Sequence, residues 1–268
     1  MGTDIIASYL GRYKGDIMRT LPANVDFNRF GQIVLTEIRK SDLAKQNGTA
    51  TTSLSDCSPE SLLGCVLTAA TVGLEIGVNG ESYMVPYKNH GRAEAQLIIG
   101  YQGLAKLAFQ HPMVKGIDAR AVYPEDVFEI SYGTTPTITH IPAQKRDPKS
   151  QPVSYYAVVT LSSGAQIIES LTAAEVKELR RGKVGSSGDI KDPQHWMERK
   201  TVLRQALKLA PKSTSVHRAL QAEDDPESTV FKPREPMVRA EVISHETGEI
   251  LTPDTPASAE GQDSLVAG

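Results

Sequence analysis

The stretch VSYYAVVTLSSGAQIIESLTAAEV, residues 153–176, decides the fold class because it contains two kinds of element in succession. Two runs rich in β-branched and aromatic residues, 153–161 and 166–171, flank a Ser-Ser-Gly turn and predict an antiparallel hairpin. Thr172 and Glu175 then have the spacing of a capping box, which predicts the start of a helix. A hairpin that leads directly into a helix is typical of an α+β domain.

The same two patterns continue on both sides of this stretch. Further strands are predicted at 82–88, 95–101, 114–123 and 127–131. Helices are predicted at 5–21, 27–40, 58–72, 102–111, 172–181 and 194–210, and loops at 41–57 and 182–193. The sequence therefore predicts an α+β fold with a central antiparallel β-rich sheet, flanking helices and a helical C-terminal part.

Composition places the chain among globular proteins. Of its 268 residues 40% are hydrophobic, and no run approaches the roughly 18 unbroken apolar residues of a membrane helix. Asp4 and Arg12 interrupt the N-terminus, which is not typical of a signal peptide. Cys57 and Cys65 lie in one apolar segment and are expected to be core residues. We therefore expect a cytoplasmic protein that does not bind membranes.

Charge is distributed unevenly along the chain. Residues 221–268 contain eleven acidic and three basic residues, whereas 177–218 contain eleven basic and four acidic residues. We expect an N-terminal oligomerisation helix (1–25), a nucleic-acid-binding core (26–222) and a disordered acidic tail (223–268). A basic body is typical of a protein that binds a polyanion, although a solvated basic face is an alternative.

The segment HWMERKTVLRQALKLAPK, residues 195–212, carries the strongest binding signal. As a helix it has an apolar arc that includes Trp196, and basic side chains follow every fourth residue on the adjacent flank: Lys200, Arg204, Lys208 and Lys212. Successive members are roughly 6 Å apart along the axis, so the row can meet successive phosphates of a strand. A solvated basic edge is the alternative. Arg199 lies on the apolar side and needs either a carboxylate partner or an anion-binding groove.

A second candidate site lies in QLIIGYQGLAKLAF, residues 96–109, where a buried strand leads into a helix. The free N–H groups of a helix start attract anions. Gly100 and Gly103 allow close backbone approach, Tyr101 could stack on a base, and Lys106 adds positive charge. Alternatively, the glycines serve only a tight turn.

The chain lacks the G-x-x-x-x-G-K-[ST] phosphate loop, which argues against nucleotide-driven action. A metal-dependent nuclease is one alternative function. Its acidic metal ligands would be Asp118, Glu169 and Glu175, and Lys177 would be the nearby cation. The capping box already explains Glu175 without catalysis. An RNA-binding chaperone is a second alternative, since it would use the same basic groove.

Four segments occur in an order and spacing that resemble the RecT family of phage single-strand annealing proteins: TEIRK (36–40), VGLEIG…ESYMVPY (72–87), QLIIGYQGLAKLA (96–108) and WMERKTVLRQALKLAP (196–211). The resemblance implies an ATP-independent, non-catalytic recombinase that coats single-stranded DNA and pairs it with a complement. It also implies a ring or helical homo-oligomer, and partners in a phage 5′→3′ exonuclease and the host single-strand-binding protein, which we assign to the tail. No cofactor is expected, and any magnesium is expected to bind through the DNA.

The resemblance also implies roles for individual residues. Positions that match the family's folding or DNA-groove residues are Arg39, Gly100, Tyr101, Gly103, Trp196, Lys200, Arg204 and Lys208. Gln102 departs from the pattern, because relatives usually carry a basic residue there, and Lys106 is expected to compensate. We predict a groove between the β-rich middle and the basic helix, with secondary contacts from Arg120, Lys88 and Arg92.

Overall fold

The computed structural model describes residues 2–20, 26–89, 91–181, 192–225, 229–231, 242–243 and 250–251. The chain divides into two compact units, residues 1–231 and 232–268. In the second unit, the described residues form one short antiparallel strand pair, Val242–Ile243 with Ile250–Leu251. Most of the predicted disordered tail (223–268) and of the predicted loop 182–193 lies outside the described residues.

The first unit is an α+β domain, as predicted. Its helices are α1 (Gly2–Arg12), α2 (Lys14–Thr20), α3 (Phe27–Gln46), α4 (Pro59–Val72), α5 (Tyr101–Phe109), α6 (Ala173–Leu179), α7 (Trp196–Leu209) and α8 (Thr214–Asp224). Its strands are β1 (Ser82–Asn89), β2 (Arg92–Ile99), β3 (Val114–Val122), β4 (Val127–Ser131), β5 (Thr137–Ile141), β6 (Ser154–Leu161) and β7 (Gln166–Thr172). No helix among the described residues is long and apolar enough to cross a membrane.

The strands form three separate antiparallel sheets in the described part of this unit, where one central sheet was predicted. They are the hairpin β1–β2, the three-stranded sheet β3–β6–β7 and the hairpin β4–β5. Helix α7 packs on all three strands of the larger sheet, and α4 packs on β2. Strand β2 buries alternate residues, Ala95, Leu97 and Ile99, whereas the central strand β6 also buries the consecutive residues Tyr155, Tyr156 and Ala157.

Local signals set the helix ends that were predicted correctly. The Ser58 hydroxyl accepts a hydrogen bond from the Ser61 N–H at the start of α4, and Gly73 ends that helix with a φ of 75°. Thr172 and Glu175 form the predicted capping box of α6. Ser58 and Thr172 each satisfy a backbone donor that the helix leaves free, whereas Gly73 adopts the left-handed backbone that ends a helix.

Four segments differ from the sequence prediction, and in α3 the cause is contact with residues distant from the helix. Helix α3 continues to Gln46, since Ser41 and Lys45 in its last turns bind Leu54 N–H and the Asp56 carboxylate. Strand β5 and helix α8 were not predicted, and α8 extends past the expected core boundary at residue 222. The predicted helix 5–21 is two helices, interrupted at Tyr13.

Two apolar residues of the N-terminal helices lie in the subunit's own core. Leu10 is 5% exposed and Ile17 is fully buried, and α1 and α2 both contact α3 and α4. A role of residues 1–25 in oligomerisation stays a prediction.

A buried carboxylate attaches the β4–β5 hairpin to the larger sheet. Asp126 is fully buried and accepts hydrogen bonds from the backbone N–H groups of Tyr123 and Ala143, each within 3.0 Å. It also binds His140 at 3.0 Å and Arg146 at 2.8 Å. Burial raises the pKa of Asp126, but these hydrogen bonds outweigh it, so the pKa lies well below its usual range.

Candidate nucleic-acid interface

A groove of about 260 Å³ runs along α7 between β2, the end of α6 and α8. Its four cationic side chains are Arg180, Lys200, Arg204 and Lys208, and its two carboxylates are Glu223 and Asp224. We call it the α7–β2 groove. It lies where the sequence predicted a groove, between the β-rich middle and the basic helix.

The apolar side of α7 fixes the direction of its basic row. Val202, Leu203, Ala206 and Leu207 are at most 1% exposed, and they anchor the helix on the three-stranded sheet. At the helix start, the Asp192 carboxylate accepts the Met197 N–H at 2.8 Å. Because one face is buried, the flank that carries the basic row is directed into the groove.

The first two members of the row are paired with carboxylates of α8. Lys200 Nζ lies 2.5 Å from Glu223 Oε1. Arg204 is 7% exposed, with Nη2 at 2.6 Å from Asp224 Oδ1 and Nε at 3.5 Å from Glu223 Oε2. These carboxylates belong to a neighbouring helix, so the residues of α7 itself do not reveal the pairing.

The last two members of the row lie in different surroundings. Lys208 is exposed at the open side of the groove. Lys212 is also exposed but follows the end of α7, so it does not continue the helical row. The row that lines the groove therefore ends at Lys208.

Glu223 connects three elements. Its carboxylate, 8% exposed, accepts the N–H of Ile99 in β2 at 2.8 Å as well as binding Lys200. Arg180, at the end of α6, pairs with Glu198 of α7. Neither Glu223 nor Arg180 was predicted as a site residue. The Ser213 N-cap and the amphipathic pattern of 214–224 are a local signal that could have located α8.

Arg199 belongs to an aromatic cluster on the opposite flank of α7. Its guanidinium carbon lies 4.2 Å from the Trp196 ring centroid and 5.4 Å from that of Tyr101, and its Nε donates to the Ala119 carbonyl at 2.6 Å. Among the described residues Arg199 therefore contacts a carbonyl and two aromatic rings, and its place in an anion-binding groove stays a prediction. Burial raises the pKa of Tyr101, and the charge of Arg199 opposes that rise.

The glycine turn before α5 accommodates the protein's own chain. Gly100 N–H donates to the Glu81 carbonyl at 2.8 Å, and a Cβ on Gly103 would lie 2.0 Å from the same oxygen. Lys106 Nζ binds both Glu81 carboxylate oxygens, at 2.7 and 2.9 Å. The close approach that the glycines permit is therefore made by residues 80–81, while Gln102 is exposed.

The secondary candidates lie outside the groove lining. Arg120 pairs with Asp118 at 2.9 Å on β3. Lys88 and Arg92 are exposed at the tip of the β1–β2 hairpin, and Arg39 is exposed on α3. Of the predicted residues, the structure thus brings together Lys200, Arg204 and Lys208 in the groove.

The carboxylates of the nuclease alternative are engaged separately. Asp118 pairs with Arg120, Glu175 caps α6 and Glu169 lies on β7. Among the described residues, no group of three or more His, Cys, Asp or Glu side chains is arranged to hold a metal ion. No observed arrangement favours the nuclease alternative.

Sequence similarity covers the elements that build the groove. The model of the RecT family matches residues 28–237. Protein RecT of Escherichia coli (strain K12) is 29% identical over 226 residues, which cover 81% of this chain and 78% of that protein. Because the match includes β1 through α8, the chain belongs to the RecT family of recombination and single-strand annealing proteins.

Proposed function

We propose that this protein binds single-stranded DNA in the α7–β2 groove and anneals it to a complementary strand without ATP. The observation that carries the proposal is the row of cations along the groove on α7: Lys200 is half-buried and Arg204 buried, both paired with carboxylates, and Lys208 is exposed. Cations that contact the sugar-phosphate backbone bind any sequence and leave base edges available for pairing. Base recognition is then left to Watson–Crick pairing, and the protein supplies charge neutralisation and alignment.

The wider assembly is also proposed. Subunits associate along the strand as a ring or filament, and the acidic tail contacts a 5′→3′ exonuclease and the host single-strand-binding protein. Membership of the RecT family supports these proposals, and the high acidic content of 221–268 supports a tail that contacts proteins rather than DNA. No cofactor is needed, and magnesium acts through the DNA.

The test of this function mixes complementary fluorophore- and quencher-labelled oligonucleotides with the full-length protein in the absence of any nucleotide. We expect faster quenching than the strands show alone, and no acceleration with non-complementary strands. Strand lengths after the reaction separate annealing from hydrolysis, since a nuclease would shorten the DNA when magnesium is added. A parallel assay with RNA strands separates a DNA annealer from an RNA chaperone. Quenching at the spontaneous rate would contradict the proposal.

A further inference from the structure

The C-terminal turn of α8 places negative charge where a helix stabilises it least. Glu223, Asp224 and Asp225 end this helix, and the carbonyl end of a helix repels anions. The carboxylates of Glu223 and Asp224 nevertheless lie in the groove, against Lys200 and Arg204. Cations of α7 therefore compensate a charge arrangement that α8 alone disfavours.

The two carboxylates are held very differently. Glu223 is 8% exposed and is fixed by the Ile99 N–H as well as by Lys200. Asp224 is 53% exposed and forms an ion pair with Arg204 Nη2 in the groove. Glu223 is thus enclosed by protein, whereas about half of the Asp224 side chain already faces water, which lowers the cost of breaking its ion pair with Arg204.

Arg204 keeps its position without Asp224. The same Nη2 atom donates to the Leu220 carbonyl at 3.1 Å, and Glu223 lies 3.5 Å from Nε. Arg204 Nε is a buried donor without a hydrogen-bond partner among the described residues. A guanidinium binds carboxylate and phosphate oxygens with similar geometry. Arg204 is thus a preorganised oxyanion site with an exchangeable anion on it.

We infer that Asp224 occupies the position of a DNA phosphate on Arg204 and must be displaced when single-stranded DNA enters the groove. This inference rests on the proposed function. A polyanion that also engages Lys208 and Lys200 can replace Asp224, because several contacts act together, whereas a single small anion cannot. Asp224 therefore lowers the affinity for DNA and favours long strands over isolated phosphate groups.

The experiment titrates a labelled oligonucleotide with the full-length wild type and three variants at one salt concentration. Asp224→Asn removes the competing charge, and we expect binding roughly two- to fivefold tighter, the scale of a partly exposed ion pair. Asp224→Glu keeps the charge and should not give the gain in affinity that Asp224→Asn gives. Asp225→Asn is the matched control, because it removes the same charge one residue further along, and it should tighten binding less than Asp224→Asn.

Circular dichroism melts first establish that each variant folds, and Asp224→Ser replaces Asp224→Asn if that variant does not. Equal or weaker binding by the folded neutral variant, or an equal gain in Asp225→Asn, would overturn the inference alone. Failure of the wild type to bind single-stranded DNA at any salt concentration would overturn the proposed function, and this inference with it.

Discussion

Arg204→Ala is expected to lower the free energy of unfolding by about 3 kcal/mol, because it removes one of two cations beside the buried Glu223 carboxylate, takes the donor from the Leu220 carbonyl and empties a buried site. Glu223 is 8% exposed and would keep only Lys200 and the Ile99 N–H. Asp224, at 53% exposed, would regain water and adds little to the loss. For a domain of this size the melting temperature should fall by roughly 6–12 °C, measured by circular dichroism.

Lys208→Ala is the matched control within the same row. Lys208 is exposed, so its replacement should leave the melting temperature within about 1–2 °C of the wild type. It should nevertheless weaken binding to single strands of any sequence and reduce the salt dependence by about 0.7 in slope, the value for one phosphate contact. An Arg204→Ala protein as stable as the wild type would contradict the burial argument.

Asp126→Asn is expected to lower the free energy of unfolding by about 2 kcal/mol at pH 7. The amide keeps one acceptor oxygen but loses the charge that binds Arg146. Its NH2 group replaces the second oxygen and therefore faces N–H groups that need an acceptor. Arg146 is 33% exposed, so water recovers part of its lost interaction. Asp147→Asn is the control, because that exposed side chain accepts one local hydrogen bond, from the Lys149 N–H.

The effect of Asp126→Asn should depend on pH. The pKa of Asp126 is lower in the folded protein than in the unfolded chain, so the ionised carboxylate stabilises the fold above the unfolded value of about 4. That contribution is lost as the pH falls further, toward the folded pKa. Urea unfolding at pH 7 and pH 3 should therefore show a smaller difference between wild type and variant in acid. A difference that is independent of pH would contradict this account of Asp126.

Elements defined by local chemistry were predictable from sequence. Ser58, Pro59 and Gly73 delimit α4, and Thr172 with Glu175 starts α6. The β6–β7 hairpin follows from residues 153–171. In each case the signal lies within a few residues of the structure it determines. The segments that resemble the RecT family also identified the family correctly.

Features that depend on distant partners were not predictable in the same way. The spacing of Lys200, Arg204 and Lys208 identified a basic flank, but their different burial depends on Glu223 and Asp224, about twenty residues away. The sequence likewise predicted an accessible backbone at the Gly100 turn. It could not show that residues 80–81, which belong to another loop, pack against that backbone. Helical periodicity predicts the direction of a side chain but does not identify the residues of other elements that it contacts.

Photo-crosslinking shows whether single-stranded DNA lies in the α7–β2 groove. A photoreactive amino acid is placed at Gln205, which lines the groove, or at Glu129, an exposed position on β4. Each full-length protein is irradiated with a labelled oligonucleotide. We predict a crosslinked product from position 205 and little or none from position 129. A product from position 129 with none from position 205 would show that the DNA lies elsewhere.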